Sequence, residues 1–366
     1  MSGILSMANS FRWTIPANWY ADTAIYRLEQ DRIFAREWML IGFTAQMPKP
    51  GDTLARDIAG RPVFVIRTRD GGLRAFLNIC RHRAARLVPE GAGHCDLLRC
   101  PYHGWLYDAE GRLKAMPEFG DAAGLDRGKL GLVPVKAAEW RGLVFVNLDA
   151  DACNVEEGLG DLVRETERQP LERFVWHDRT VYPLDFNWKN YVDNYMEGYH
   201  IPYLHPGLNR ETDAKAYTVT PGDRVCVHRA PTKSGATYEG LWLWHWPNIT
   251  IGIYGDGLNI TRIVPHGPSS MALEIDFFFL PDANADPDDR QRKMQWTREV
   301  VEQDFDMCRS VQSNLASGFY DRGPLSPRHE NGVAYFHDLV RHALAPLVSD
   351  IEPRSLTAAG RHGEAL

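Results

Sequence analysis

The chain has 366 residues, enough for two domains, and its 44% hydrophobic and 24% charged content is that of a folded globular protein. Lys and Arg number 41 against 48 Asp and Glu, and the resulting net charge of −7 argues against nucleic acid as a partner. No apolar run reaches the length of a membrane span, and residues 1–6 place no basic segment ahead of an apolar one, so no membrane association and a cytoplasmic location are expected.

Along the chain, Ile25, Leu28, Ile33, Phe34 and Trp38 recur at near-helical spacing and predict an amphipathic helix over 22–38. Residues 1–39 then form an N-terminal helical segment that packs on the rest. From residue 40 the pattern turns to β. Apolar runs at 63–66 and 73–77 flank Arg69-Asp70-Gly71-Gly72, and a second turn sits at Asp108-Ala109-Glu110-Gly111. Residues 142–148 read as a buried strand, and 40–150 as an all-β domain. Residues 151–172 are acidic and helical and open a second domain, 151–366. It continues with a strand at 181–185, a helix at 188–200 and β structure over 218–280. A solvated acidic turn at 281–289 and helices at 290–317 and 331–348 follow, and 350–366 reads as a frayed end.

Two stretches of the β domain carry chemistry. Cys80-Arg81-His82 and Cys100-Pro101-Tyr102-His103 read C-x-H, seventeen residues, C-x-x-H. Each arm offers one thiolate and one imidazole, the ligand set of a Rieske [2Fe–2S] cluster. A structural zinc site is the alternative, but zinc modules usually pair Cys with Cys and His with His. Cys95 lies between the arms without a His at either ligand spacing and reads as a small buried side chain. Cys153, Cys226 and Cys308 are scattered, as in a reducing compartment.

In the second domain, Glu197 to His205 reads E-x-x-H-x-x-x-x-H. Pro202 should end the helix near His200 and let His205 swing back beside it. With one distant carboxylate the pair would complete a 2-His-1-carboxylate iron site. Two His at this spacing are also common as structural residues, but a one-electron donor upstream calls for an acceptor. Asp304 is the best candidate for the carboxylate: it lies on an apolar-striped helix where an unpaired charge is costly, and its preference over Asp306 comes mainly from the family resemblance given below. Asp306, two residues on, points to another side of that helix; a plain surface charge is the bland reading of either.

The stretch Leu241-Trp242-Leu243-Trp244-His245-Trp246 alternates, with three Trp on one face. Trp242, Trp244 and Trp246, with Tyr203 and Tyr254, are candidate pocket residues. They form either a packed core, a stacking wall for an aromatic substrate, or a cage for a quaternary ammonium, each ring contributing about 0.5–2 kcal/mol of cation–π attraction. His245 and His266 read as structural rather than pocket groups.

These motifs resemble the α subunit of the Rieske non-haem iron oxygenases, the ring-hydroxylating family. The likeness rests on both Cys/His arms, the 140–146 segment, Asn187-Trp188-Lys189, the His200/His205 pair and the 304–312 segment. The resemblance implies an α+β fold: an N-terminal all-β Rieske domain, and a C-terminal helix-grip (START-like) domain whose antiparallel sheet holds mononuclear Fe(II). It assigns Cys80, His82, Cys100 and His103 to the cluster, His200, His205 and Asp304 to the iron, and Asn194 to its surroundings. Glu197 stands where the family usually has Asp. It would bridge His200 to His103 of a neighbouring subunit, which implies a ring, most often a homotrimer.

No dinucleotide fingerprint is present, in keeping with electrons from NAD(P)H through a separate flavin and iron–sulfur reductase or a ferredoxin. The implied activity is that of a terminal oxygenase using O₂ on a small organic substrate. The helix wording around Glu197 favours the betaine, carnitine and N-demethylating branch, hence monooxygenation of a quaternary or N-methylated amine. Hydroxylation or cis-dihydroxylation of an aromatic acid is the alternative, and a non-catalytic Rieske electron carrier the alternative of another class. A small β subunit is neither implied nor excluded.

Overall fold

The computed structural model describes residues 12–213, 215–232, 240–281 and 287–348. The predicted frayed end at 350–366 and residues 282–286 of the predicted acidic turn lie outside these. The long helix starts at Pro287, earlier than the predicted Arg290.

Two seven-stranded antiparallel sheets carry the chain. The first runs in the order Met39–Phe43, Leu143–Asn147, Pro134–Trp140, Leu73–Leu77, Arg61–Arg67, Asp52–Ile58, Gly91–His94. A three-stranded sheet, Leu98–Arg99, Leu106–Tyr107 and Leu113–Ala115, sits beside it. The predicted buried strand at 142–148 is Leu143–Asn147, while the 140–146 stretch crosses a hairpin: Trp140 pairs with Leu143 across Arg141 and Gly142. Both turn residues have positive φ, +49° and +83°, as a two-residue turn matched to strand twist requires. The Arg141 side chain donates to the carbonyls of Thr166 and Gln169 at 2.8 and 2.5 Å, which anchors the turn.

The second sheet runs Val175–Leu184, Ser270–Phe279, Gly257–Gly267, Ile249–Tyr254, Gly240–His245, Val225–Arg229, Thr218–Pro221. Both of its faces are covered, so the period-two alternation separates two kinds of buried residue. Val227, Leu243, Ile251, Ile260 and Phe278 face Phe43, Trp140 and Phe145 of the first sheet. His228, Trp242, Thr250, Asn259 and Thr261 face the other way, toward the helices Trp188–Tyr195 and Pro287–Ala316. This second group is polar or amphipathic although buried, which marks a site rather than a core.

At the sheet-to-sheet junction Arg56 forks onto Glu274 at 2.9 and 3.0 Å. Arg262 reaches Glu274 at 2.7 Å and Asp276 at 3.3 Å, and Arg179 pairs with Asp276 at 2.7 Å. Removing one partner from such a buried network costs about 3–5 kcal/mol.

The predicted 22–38 helix is divided. Asp22 caps an α-helix, Thr23–Glu29, and a π-turn, Gln30–Phe34, follows. The extra residue of that turn goes with a buried anchor. Glu29 accepts from Lys189 Nζ at 2.5 Å and from Trp188 Nε1 at 2.8 Å, with Glu29 and Lys189 both fully buried. The N-terminal segment thus clamps the start of the helix that leads to His200.

Candidate metal centres

The two Cys/His arms adopt nearly the same turn. Ala84 N–H donates to Cys80 O, and Gly104 N–H to Cys100 O, both at 3.0 Å. The closing residues are left-handed, Ala84 at φ +57° and Gly104 at +70°. Cys80 N–H and Cys100 N–H are tied to Ala85 O and Trp105 O, both at 2.8 Å. Each turn therefore presents its thiol and imidazole from a backbone that closes on itself.

The side chains converge without satisfying one another. His82 and His103 meet at 4.6 Å between ring centroids, and His82 stacks on Trp105 at 4.8 Å. The Nδ1 atoms of both His are buried without a hydrogen-bond partner. Burial, with the neighbouring Cys100 sulfur, raises the Cys80 thiol, while the Tyr107 hydroxyl stands 3.4 Å from Cys80 Sγ. Burial, with His82 and Arg83 nearby, lowers the His103 pKa, the direction that favours a metal-binding imidazole. Two buried thiols and two orphaned imidazole nitrogens fit a [2Fe–2S] cluster. Cys95 is only half-buried, at the edge of this core, and stands apart from the convergence.

The second site forms where a helix breaks. The predicted 188–200 helix stops at Tyr195. The Glu197 carboxylate accepts from the backbone N–H of Tyr199 and of His200 and so caps the next turn. Pro202 does not end a helix; it sits in the first turn of Ile201–Leu204, where its missing N–H is no loss. His205 lies between this turn and the helix Pro206–Glu211.

His200 Nδ1–H donates to Glu197 Oε1 at 2.5 Å, and His205 Nδ1–H to Gln303 Oε1 at 2.8 Å. With both Nδ1 protonated, both Nε2 atoms are bare lone pairs, yet they face each other at 3.1 Å. Asp304 Oδ1 joins them, 3.0 Å from His205 Nε2 and 3.8 Å from His200 Nε2, buried and without a hydrogen bond. Three electron-rich atoms within 4.8 Å of one another need a cation between them. This 2-His-1-carboxylate set fits a non-haem iron with open positions. Burial opposes charge on His205, but Asp304, Gln303 and Glu197 outweigh it and its pKa is raised. Asp306, the competing carboxylate, is 96% exposed and pairs with Arg309. Asn190 Nδ2 donates to Cys308 O, and Gln312 Oε1 accepts from Asn187 N–H, which fixes the His-bearing helix against the Asp-bearing one.

A cavity of about 160 Å³ opens beside these donors, lined by His200, His205, Asp304, Glu197 and Asn194 on the helical side. Of the five predicted pocket residues only Trp242 lines it. Tyr203 is 80% exposed, on the outer side of its short helix. Trp244 shares a face with Trp242, but Phe336 of the terminal helix Asn331–Val348 covers that half of the sheet, at 5.6 Å from Trp244 and 6.3 Å from Trp246. Trp246 spends its Nε1–H on Glu37 at 2.9 Å. Tyr254 stacks flat behind Trp242 at 5.6 Å. The three-tryptophan cage is therefore one tryptophan backed by a tyrosine. Gly252 makes room for it, since a Cβ there would run into the Trp242 ring.

Tyr195, Tyr217 and His228 complete the wall, and sequence reasoning passed over all three. The signal was the alternation Cys226/His228, which turns a histidine inward from a strand. His245 faces the opposite side of the sheet, and His266 is exposed.

An iron–sulfur domain joined to a mononuclear-iron domain defines an oxygenase architecture, and known proteins agree. Residues 37–129 match the Rieske [2Fe-2S] domain, and 171–345 the ring hydroxylating alpha subunit (catalytic domain). The carnitine monooxygenase oxygenase subunit of Escherichia coli (strain K12) is 30% identical over 353 residues, 90% of this chain and 93% of that protein. The chloroplastic choline monooxygenase of Atriplex hortensis is 29% identical over 335 residues, 88% of this chain and 76% of the relative. A quaternary ammonium Rieske monooxygenase, solved in connection with carnitine oxidation and inter-subunit electron transfer, superposes with a TM-score of 0.83 at 26% identity, covering 91% of this chain and 96% of that one. The chain belongs to the Rieske non-haem iron oxygenases, as an α subunit of the ring-hydroxylating type. Its cofactors are a Rieske [2Fe–2S] cluster and a mononuclear iron. It is a terminal oxygenase that takes electrons from a partner and acts on a small molecule. Among the described residues no helix is long and apolar enough to cross a membrane.

Proposed function

We propose that the chain hydroxylates a small quaternary or N-methylated amine. The observation that carries this reading is one cavity that joins the His200/His205/Asp304 donors to the Trp242 face. The reaction inserts one oxygen atom of O₂ into a C–H bond, and two electrons and two protons convert the other to water. At an N-methyl carbon the product releases formaldehyde and the demethylated amine. When bound, iron supplies the activation of O₂ that no side chain provides.

The chain's own residues position and exclude. Cys80, His82, Cys100 and His103 would hold the cluster, and His200, His205 and Asp304 the iron. Glu197 and Gln303 fix the imidazole tautomers so that both Nε2 atoms face the iron position. The Trp242 ring offers a cation a π face, and no Lys or Arg is among the described residues lining the cavity. Asn194 borders the reacting end.

The electron donor is read as a flavin and iron–sulfur reductase or a ferredoxin. The half-exposed His103 and the Glu197 turn support transfer between subunits of a homotrimer. The reading also divides the chain at residues 39 and 150 and assigns it to the cytoplasm, where Cys95, Cys153, Cys226 and Cys308, unpaired and outside the cluster arms, belong.

A single turnover tests the substrate class. The reduced, iron-loaded protein receives labelled O₂ and a pool of choline, carnitine, glycine betaine and benzoate. One labelled oxygen in an amine product, or in the formaldehyde it releases, is the expected result. A labelled hydroxy- or dihydroxybenzoate alone would overturn the amine reading and make Trp242 a stacking wall.

A further inference from the structure

One wall of the cavity holds a polar group with nothing to bind. His228 is 2% exposed, and its Nδ1 lies 2.8 Å from the Tyr217 hydroxyl. Its Nε2 is buried without a partner. His228 is the direct cross-strand neighbour of Trp242, so both side chains leave the sheet on the same face and enter the same cavity. A polar atom this deep without a partner is costly unless a ligand supplies one.

We infer that His228 Nε2 is the specificity-determining contact for a hydroxyl group carried by the amine substrate, whose ammonium end rests on Trp242. This assignment rests on the amine reading above. A hydroxyl fits because the imidazole has two arrangements open to it. If Tyr217 donates to Nδ1, Nε2 carries the proton and donates to the substrate. If Nδ1 donates to Tyr217, Nε2 accepts. A hydroxyl serves either tautomer, whereas a carbonyl or carboxylate serves only the first. Burial pushes the His228 pKa down to about 3, so the ring is neutral in working conditions and offers no charge to a carboxylate. With no Lys or Arg among the described lining residues, a carboxylate would find no cation of this chain in the cavity.

The test compares kcat/KM for choline with that for its deoxy isostere, n-propyltrimethylammonium, in the loaded enzyme and two variants. His228→Asn keeps an amide near the Nδ1 position for Tyr217 but withdraws the Nε2 contact. His228→Gln reaches the Nε2 position instead. Cluster EPR and iron content confirm that each variant is folded and loaded. The wild type should prefer choline by about 10- to 100-fold, the range of one hydrogen bond in a closed site. His228→Asn should bring the ratio close to one, and His228→Gln should restore part of it. A ratio near one in the wild type, or a ratio unchanged in His228→Asn, overturns the assignment while amine turnover persists. No turnover of either amine by the wild type would bring down the amine reading and this assignment together.

Discussion

Cys80, His82, Cys100 and His103 reach their places through two turns that each close on their own backbone. His200, His205 and Asp304 meet only after a broken helix has docked on a long one. In the first region the covalent neighbourhood of each ligand sets its direction, down to the left-handed residues Ala84 and Gly104. In the second, direction comes from partners far along the chain: Gln303 for His205, and the Asn190–Cys308 and Asn187–Gln312 bonds for the helices. A site of the first kind tolerates distant damage, while one of the second kind registers it.

The largest effect should follow from removing the distant carboxylate. Asp304→Ala should lose mononuclear iron and cut product formation by more than about 100-fold, beyond the range for losing an outer-shell partner. The cluster's EPR signal should be unchanged. Asp306→Asn should leave both iron content and turnover at wild-type levels, because that side chain is solvent-exposed on Arg309. Iron retained in Asp304→Ala would refute the ligand set. A cluster lost along with the iron would refute the independence of the two regions.

The same contrast explains what the sequence disclosed. The cluster arms were legible because both ligands of each arm lie within four residues and the turn geometry is local. The His200/His205 pair was legible by spacing, but the helix break before it was not. Its cause is the Glu197 carboxylate capping a new turn, a role no propensity encodes. The choice of Asp304 over Asp306 came mainly from the family resemblance, with the apolar stripe of the helix only making Asp304 a candidate. The hairpin at Arg141-Gly142 was missed because apolar residues continue on both sides of a turn that carries Arg in place of the more usual Asn or Asp. The tryptophan cage failed for a tertiary reason: alternation places Trp242 and Trp244 on one face but does not tell which half of that face Phe336 covers. For His228 the local alternation with Cys226 marks only an inward face; its position opposite Trp242 is set by the register of two paired strands and not by anything local to either.

A smaller effect should follow from Gln303→Leu, which removes the acceptor of His205 Nδ1–H without touching a ligand. The imidazole is then free to rotate, which moves Nε2, or to exchange tautomers, which puts the proton on Nε2 and removes its lone pair from the iron position. Iron affinity should fall about 10- to 100-fold. Competition with a chelator, followed by the iron remaining at equilibrium, measures it. Unchanged affinity would mean that the helix break alone aims His205, and the iron site would then be as local as the cluster arms.

The smallest effects lie within those arms and test how local they are. A methyl added at Gly104, where φ is +70°, would meet only ordinary contacts, with Pro117 at 3.6 Å and Arg99 at 3.8 Å, so Gly104→Ala should cause no clash. Its cost is the left-handed backbone alone, about 1–2 kcal/mol of unfolding free energy. Ala84 at φ +57° already bears that cost. Ala84→Gly relieves it but gives the unfolded chain more freedom, so the net change should be a gain of less than about 1 kcal/mol. Denaturant unfolding of the two variants, followed by the loss of cluster absorbance, reads both signs. If Ala84→Gly instead destabilised by more than Gly104→Ala, the equivalence of the two turns would fail: the methyl of Ala84 would be holding its arm through a packing contact, and the first arm would be an assembled structure like the iron site.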